Sequence, residues 1–380
     1  GFRGSVNEAA SFADLRVTDP EGNVLLADPL DGTRADGVFL NAQFRDGRLA
    51  LPAGVLLAGA ALPATCPRMR REIDLPAAVV SARTYVYGLG WYEFHLNGAK
   101  VGDEVLRPGN SRYERQCLYD TYDVTDQLHE GHNALGLWLA LGYGPDYSLW
   151  GWRWQAPKCA KVRLDVWLAD GSRRQFVTDE SWRWAESPII AAGIYAGETY
   201  DARREQPGWS QPGYAAVDWL PVQVVSGPKG RLTPAVAPPL RVIEHHQPAT
   251  ITEPQPGVFV FDFGQNAAGW CQLRAHGPAG TTIRLHHSEL LGQDGMIDPW
   301  TNRNAAAVDS YTLAGTGPEI YEPRFTYHGF RYVEMRGYPG TPTPDSLTAC
   351  VVHAAVRPTG TIRFDDPFLD RLQSTFSWSI

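Results

Sequence analysis

A chain of 380 residues has room for two to three domains with sizeable cores. Its 43% hydrophobic and 20% charged content is that of an ordinary globular protein, and no apolar run reaches the roughly 18 residues of a membrane-spanning helix. The net charge of −8 argues against a nucleic-acid partner, because phosphate binding needs a concentrated basic face.

Read in chain order, residues 1 to about 75 carry short apolar runs such as Val24-Leu25-Leu26 and Arg48-Leu49-Ala50-Leu51. Asp31-Gly32 and Asp46-Gly47 punctuate them as turns, which predicts several strands of a β-sandwich. From about 76 to 225 the pattern is sharper. Asn97-Gly98 sits between Glu93-Phe94-His95-Leu96 and Lys100-Val101, a hairpin signature. Along Lys161 to Leu168, Val162, Leu164, Val166 and Leu168 alternate inward while Lys161, Arg163 and Asp165 face out. Asp170-Gly171 then turns the chain into Gln175-Phe176-Val177. A Pro/Gly-rich link, 226–239, leads to a third block, 240–356, with strands expected at Val258–Phe263, Trp270–Ala275, Thr282–His287, Arg331–Arg336 and Thr348–His353. In the last stretch, 357–380, Asp366-Pro367 opens an amphipathic helix with Leu369, Leu372, Phe376 and Ile380 on one face. Asp is an N-cap and Pro fits the first helical turn, where its missing N–H would have had no partner. The stripe runs to the last residue with no closing glycine, so the expected partner of that face is further chain. The fold class is therefore all-β: consecutive antiparallel, jelly-roll-like β-sandwiches followed by one helix. The 38 Gly and 29 Pro suit many tight turns.

Five widely spaced cysteines without a CxxC pair read as free buried thiols. Thirteen Trp and sixteen Tyr fill sandwich cores or form flat platforms for sugar rings. Trp150, Trp152 and Trp154 would share one face of a strand, as a sugar platform or as a packing stripe, and Tyr143 lies in a loop able to line a pocket. Gly197-Glu198-Thr199-Tyr200-Asp201-Ala202-Arg203-Arg204 concentrates two carboxylates and two guanidiniums. Glu198 and Asp201 could chelate a hard cation such as Ca²⁺ or accept hydrogen bonds from sugar hydroxyls; equally, Asp201 and Arg203 could be an ion pair bracing a loop. His245-His246 and His286-His287 lack a third ligand at useful spacing and read as surface or core histidines. Glu289 and Glu334 are carboxylates without an assignable partner, and no nucleophile elbow, phosphate loop or HExxH appears.

An ordered set of stretches resembles the bacterial α-L-rhamnosidases of glycoside hydrolase family 78. They are Trp91-Tyr92-Glu93-Phe94-His95-Leu96-Asn97-Gly98-Ala99-Lys100-Val101-Gly102, Tyr119 to Thr125, Tyr195 to Arg203, Pro207-Gly208-Trp209, Phe261 to Trp270 and Phe325-Thr326-Tyr327-His328-Gly329-Phe330-Arg331-Tyr332. The resemblance runs from about residue 63 to the end. It implies that the terminal helix enters a helical (α/α)₆ catalytic barrel, and that terminal α-L-rhamnose is removed with inversion by two carboxyl groups about 6.5–9.5 Å apart. The family carries those carboxyls on the barrel, so the resemblance places no catalytic residue within these 380. Some members bind rhamnose with Ca²⁺ in the second block. On that analogy Glu198 and Asp201 are the metal candidates, and Glu198, Asp201, Arg203, Trp152 and Tyr143 the carbohydrate-binding set. The implied partners are rhamnose-containing glycans or glycosides, the chain's own barrel, and a second copy in a homodimer. A carbohydrate-binding protein without a barrel, or a glycosidase of another specificity, are the alternatives.

Overall fold

The protein is described by a computed structural model over residues 66–142, 158–303, 305–357 and 359–379, with five short strands between residues 10 and 51. Those five form a three-stranded antiparallel sheet (Ala10–Phe12, Arg48–Leu51, Gln43–Arg45) and a hairpin (Leu15–Thr18 with Val24–Asp28).

Three larger sheets carry the rest, apart from a two-stranded ladder of Leu290–Leu291 with Ile297–Asp298. Sheet A orders Arg173–Val177, Cys159–Leu168, Val79–Leu89, Gln116–Asp123 and Arg231–Pro234. Sheet B orders Leu220–Pro221, Arg183–Ala185, Arg68–Leu75, Gly131–Leu139, Tyr92–Leu96 and Ala99–Lys100. Val162, Leu164, Val166 and Leu168 of sheet A meet Leu135, Leu137, Leu139, Phe94 and Leu96 of sheet B, forming the sandwich core that alternation predicts. Asp165 departs from that pattern. It is buried, its carboxylate held by Arg163, Arg173 and Gln175 on the neighbouring strand positions.

Sheet C runs Ile189–Gly193, Gly197–Asp201, Val308–Thr312, Thr282–Ser288, His328–Arg336, Val258–Ala275, Leu347–Ala354 and Leu240–His246, with Thr250–Gln255 and Glu319–Tyr321 paired onto Val258–Ala275. It packs against the outer face of sheet B. Along Gly131–Leu139, Leu135, Leu137 and Leu139 enter the sandwich, whereas Trp138 joins the core of sheet C. Gly136 lies under Trp209, where a Cβ would approach the indole to 2.8 Å. That strand is buried on both faces, so its sequence is nearly continuous in apolar residues rather than alternating.

Several expected boundaries change. Residues 189–201 leave the 76–225 block and complete sheet C, because Gly197–Asp201 pairs in parallel with Val308–Thr312. The 226–239 link contributes Arg231–Pro234 as a parallel edge strand of sheet A, so the sheets are not purely antiparallel. The two strands expected at 258–263 and 270–275 are one 18-residue strand whose pairing shifts between Asp262 and Ala267.

At Asn97-Gly98 both residues have positive φ, 49° and 90°, as a two-residue hairpin turn requires. The Asn97 side chain also locks the turn onto the sandwich. Its amide donates to Gln127 O (2.8 Å) and Asn133 Oδ1 (2.9 Å), and its Oδ1 accepts from Ala134 N (2.8 Å). Asn97→Ala is expected to cost about 3 kcal/mol, from lost hydrogen bonds and a poorer left-handed residue. Urea unfolding checks this; a loss under about 1 kcal/mol would show the turn holds without the side chain.

The one α-helix among the described residues, Pro367–Ser379, starts as expected: Asp366 Oδ1 accepts from Phe368 N (2.8 Å) and Leu369 N (3.4 Å). Trp378 ties it to sheet C by donating to Asn266 O at 2.7 Å and meeting the His246 ring edge-on. Leu369, Leu372 and Phe376 remain exposed.

Candidate functional site

The segment 197–204 lies where sheet C meets sheet B. Gly197 has φ +97°, and a Cβ there would sit 2.0 Å from Val308 O, so only glycine allows the following strand to close on Val308–Thr312. Glu198 is fully buried. Its Oε2 accepts from the backbone N–H groups of Arg324 and Phe325, both at 3.1 Å, and Tyr321 Oη donates to its Oε1 at 3.2 Å. Burial pushes this carboxyl up to about 8, against the opposing backbone donors and with the Asp309 charge adding to the rise.

Asp201, three residues along the strand, serves a different set of partners. Its Oδ1 accepts from Arg203 N (3.1 Å) and Nε (2.8 Å), and its Oδ2 from Arg203 Nη2 (2.8 Å). It caps the short 3₁₀ turn Ala202–Arg204, and the Arg203 hydrogen bonds hold its carboxyl below the usual range. The two carboxylates therefore do not converge: a cation shared by Glu198 and Asp201 would have to displace Arg203 from one and backbone amides from the other. Trp152 and Tyr143 lie outside the described residues.

Around Glu198 the B–C seam is unusually rich in charge and aromatic rings. Arg324 Nη1 donates to Glu93 Oε2 at 2.8 Å, with Lys100 3.3 Å from Glu93 Oε1 and His95 3.5 Å from Oε2. Burial would raise the Glu93 carboxyl, but Arg324 and the two other donors hold it well below the usual range. Arg68, itself buried, lies 4.0 Å from the Trp138 ring centroid and 5.1 Å from that of Trp209, and donates to Glu205. Glu205 accepts in turn from Tyr200 Oη. Tyr311 stacks on Tyr321 at 4.6 Å, and Tyr200 leans on both. Three of the stretches singled out in the sequence thus meet here: Glu93 from the hairpin, Glu198 from the acidic segment, and Phe325 beside Arg324.

A second cluster lies on the inner face of sheet C and is absent from the sequence-based expectations. His287, read from sequence as lacking a third ligand, stacks on His328 with ring centroids 4.2 Å apart, and both face Asp309; all three are buried. His328 Nε2 is 3.1 Å from each Asp309 oxygen, and Asp309 Oδ1 also accepts from Glu198 N at 2.9 Å. Burial, with His328 alongside, pushes His287 down to about 3. Strand period 2 places His287 on the inward face with Ile283 and Leu285; only the pairing of three strands brings Asp309 and His328 to it. His286 points the other way, beside Val308 and Glu334 in the pairing, and Glu334 is bonded to Arg336. Glu289 accepts from Asn266.

Comparison with known proteins accounts for the same regions. Residues 77–244 match the family model of the α-L-rhamnosidase N-terminal domain, and residues 252–353 that of the bacterial α-L-rhamnosidase concanavalin-like domain. An α-L-rhamnosidase of Streptomyces avermitilis is 42% identical over 82% of this chain and 31% of its own length; one from Formosa agariphila is 33% identical over 82% and 34%. The structure of the Streptomyces avermitilis enzyme complexed with L-rhamnose superposes with a TM-score of 0.80 at 40% identity, covering 88% of this chain and 33% of that one. That of the Dictyoglumus thermophilum α-L-rhamnosidase gives 0.79 at 31%, covering 96% and 42%. The chain spans about a third of the length of the curated relatives it matches. With both matched regions in order along it, the chain belongs to the bacterial α-L-rhamnosidases, of which it carries the N-terminal and concanavalin-like domains.

Proposed function

We propose that this chain is the β-domain portion of a longer α-L-rhamnosidase, which removes terminal α-L-rhamnose from glycans or glycosides by the inverting two-carboxylate route. The observation that carries the reading is the 42% identity that extends across 82% of the chain. Within the described residues, the acidic groups of the seam are consumed by protein partners. Glu198 is bound by backbone amides and Glu93 by Arg324, so neither is free to act as a general acid or as the base that activates water. The role left to these residues is to fix sheet C rigidly against the sandwich, giving a barrel a preformed surface. The sugar contact of this segment falls to the exposed Arg203 guanidinium, a five-donor group oriented by Asp201.

The test is hydrolysis of an aryl α-L-rhamnoside. The 380-residue chain is expected to give no turnover above buffer, and the longer protein to release L-rhamnose with inverted configuration at the anomeric carbon. Turnover by the chain alone, or retention by the longer protein, overturns the corresponding half of the proposal. Calorimetric titration of L-rhamnose into the chain, with Ca²⁺ and then EDTA, decides the sugar and calcium roles. Heat that survives Arg203→Ala would move the contact away from this segment.

A further inference from the structure

His287, Asp309 and His328 are the one group of three potential metal ligands found among the described residues. We propose that they hold a divalent transition-metal ion of the zinc class, bound by His287 Nε2, His328 Nε2 and Asp309 Oδ2.

The donor atoms are close enough. Asp309 Oδ2 lies 3.1 Å from His328 Nε2 and 3.9 Å from His287 Nε2, and the ligand atoms of all three residues fall within 4.8 Å of one another. A tetrahedral ion with bonds of about 2.0–2.2 Å sets its ligands roughly 3.4 Å apart, so shifts of a few tenths of an ångström to about an ångström bring the three donors onto it, and a water molecule would complete the shell in the fourth position. The surroundings also orient the donors. His287 Nδ1 sits 3.1 Å from Ala307 O, which can only accept, so the ring proton is on Nδ1 and the Nε2 lone pair points into the cluster. This is how a ligating imidazole is normally fixed. Asp309 Oδ1 is occupied by the Glu198 N–H, which leaves Oδ2 for the ion.

An independent sign is what His287 lacks. The residue is wholly buried, yet its Nε2 has no hydrogen-bond partner, and a buried lone pair left unmatched calls for a cause. A cation supplies it. The donor set fixes the class: two imidazoles and one carboxylate suit zinc and its transition-metal neighbours, whereas Ca²⁺ and Mg²⁺ favour shells of oxygen. His328 Nε2 faces two carboxylate oxygens and so carries its ring proton, which must move to Nδ1 as the ion takes its place. The rings lie 22° from parallel, so metal binding also opens the stack to bring both lone pairs onto one ion. Because the cluster is buried beneath three paired strands, the ion would clamp those strands together and meet no substrate.

The purified chain, stripped with EDTA and desalted, is titrated with Zn²⁺ and, separately, with Co²⁺. Expected are about one zinc retained per chain after a second desalting, the visible absorption of tetrahedral Co²⁺, and a higher melting temperature in Zn²⁺ than in EDTA. His287→Gln and His328→Gln lose all three responses, while His246→Gln, on the exposed pair with Glu244, keeps them. A folded wild-type chain that retains no zinc, gives no Co²⁺ band and melts identically in both conditions overturns the proposal. A response to Ca²⁺ alone overturns it too. Should a histidine variant fail to fold, the wild-type Co²⁺ spectrum and zinc content decide.

Discussion

Glu198→Ala is expected to lower the unfolding free energy by about 4–5 kcal/mol, the largest loss of any single side chain at the seam. The substitution strands the N–H groups of Arg324 and Phe325 and the Tyr321 hydroxyl in a buried space. Each orphaned donor costs about 1–3 kcal/mol, and the cavity adds to that. Glu198→Gln keeps an acceptor oxygen in place and is expected to stay within about 1.5 kcal/mol of wild type near pH 6. The pH dependence separates the two carboxyl forms. With its folded value pushed up to about 8 from an ordinary 4.5, Glu198 keeps a proton in the native state that the unfolded chain releases. Its contribution is fully present below the unfolded value and is lost as pH rises toward 8, on the order of 1.4 kcal/mol per pH unit. Glutamine does not titrate, so urea unfolding from about pH 5 to 9, with EDTA present throughout, should show a falling limb in wild type that Glu198→Gln flattens. An identical alkaline fall in both proteins would remove Glu198 as its source.

For Arg324→Ala the expected loss is about 2–3 kcal/mol. Breaking a buried ion pair by deleting one member costs about 3–5 kcal/mol, because the remaining charge stays buried. Glu93 is that charge here, but Arg324 is partly solvent-exposed and Lys100 still reaches the carboxylate, so the lower figure applies. Two features distinguish this from a simple packing loss. First, Glu93→Gln in the Arg324→Ala background should recover more than half of the deficit, since the uncompensated charge is gone. Second, the Glu93 carboxyl is depressed in the native state, so its stabilisation is present above the unfolded carboxylate value and disappears as pH falls through the folded one. The gap between wild type and Arg324→Ala should therefore narrow in acid. A gap that stays constant down to about pH 3, with no rescue by Glu93→Gln, would assign the loss to the Arg324 stack on Trp138 instead.

What the sequence disclosed were the features encoded within a few residues of one another. The Asn97-Gly98 turn, the alternation along 161–168 (Asp165 excepted) and the Asp366 cap each depend on local backbone chemistry, and each appears where it was expected. The sequence predicts two strands, Val258–Phe263 and Trp270–Ala275; in space the stretch between them is the bulge of one strand. Glu198 was recognisable as an unusual carboxylate, but its partners are backbone amides 126 and 127 residues away, which no side-chain pattern announces. His287, Asp309 and His328 were invisible as a group for the same reason. A strand's own period says which face a histidine takes, while its neighbours depend on strand order across the sheet.

The parallel pairing of Gly197–Asp201 with Val308–Thr312 also sets a schedule. Thr199 opposes Ser310, so this strand cannot find its neighbour until at least 111 further residues have been made. At a synthesis rate of about 5–20 residues per second, that is a wait of roughly 6–22 s. During it, the sandwich of sheets A and B can close on the ribosome with the 189–201 hairpin hanging from it, its outer edge unpaired and Glu198 in water. Such an edge is a template for pairing with other nascent chains. Synonymous codons that slow translation between residues 202 and 308 should lengthen that exposure and raise the insoluble fraction, while leaving the stability of the finished protein unchanged.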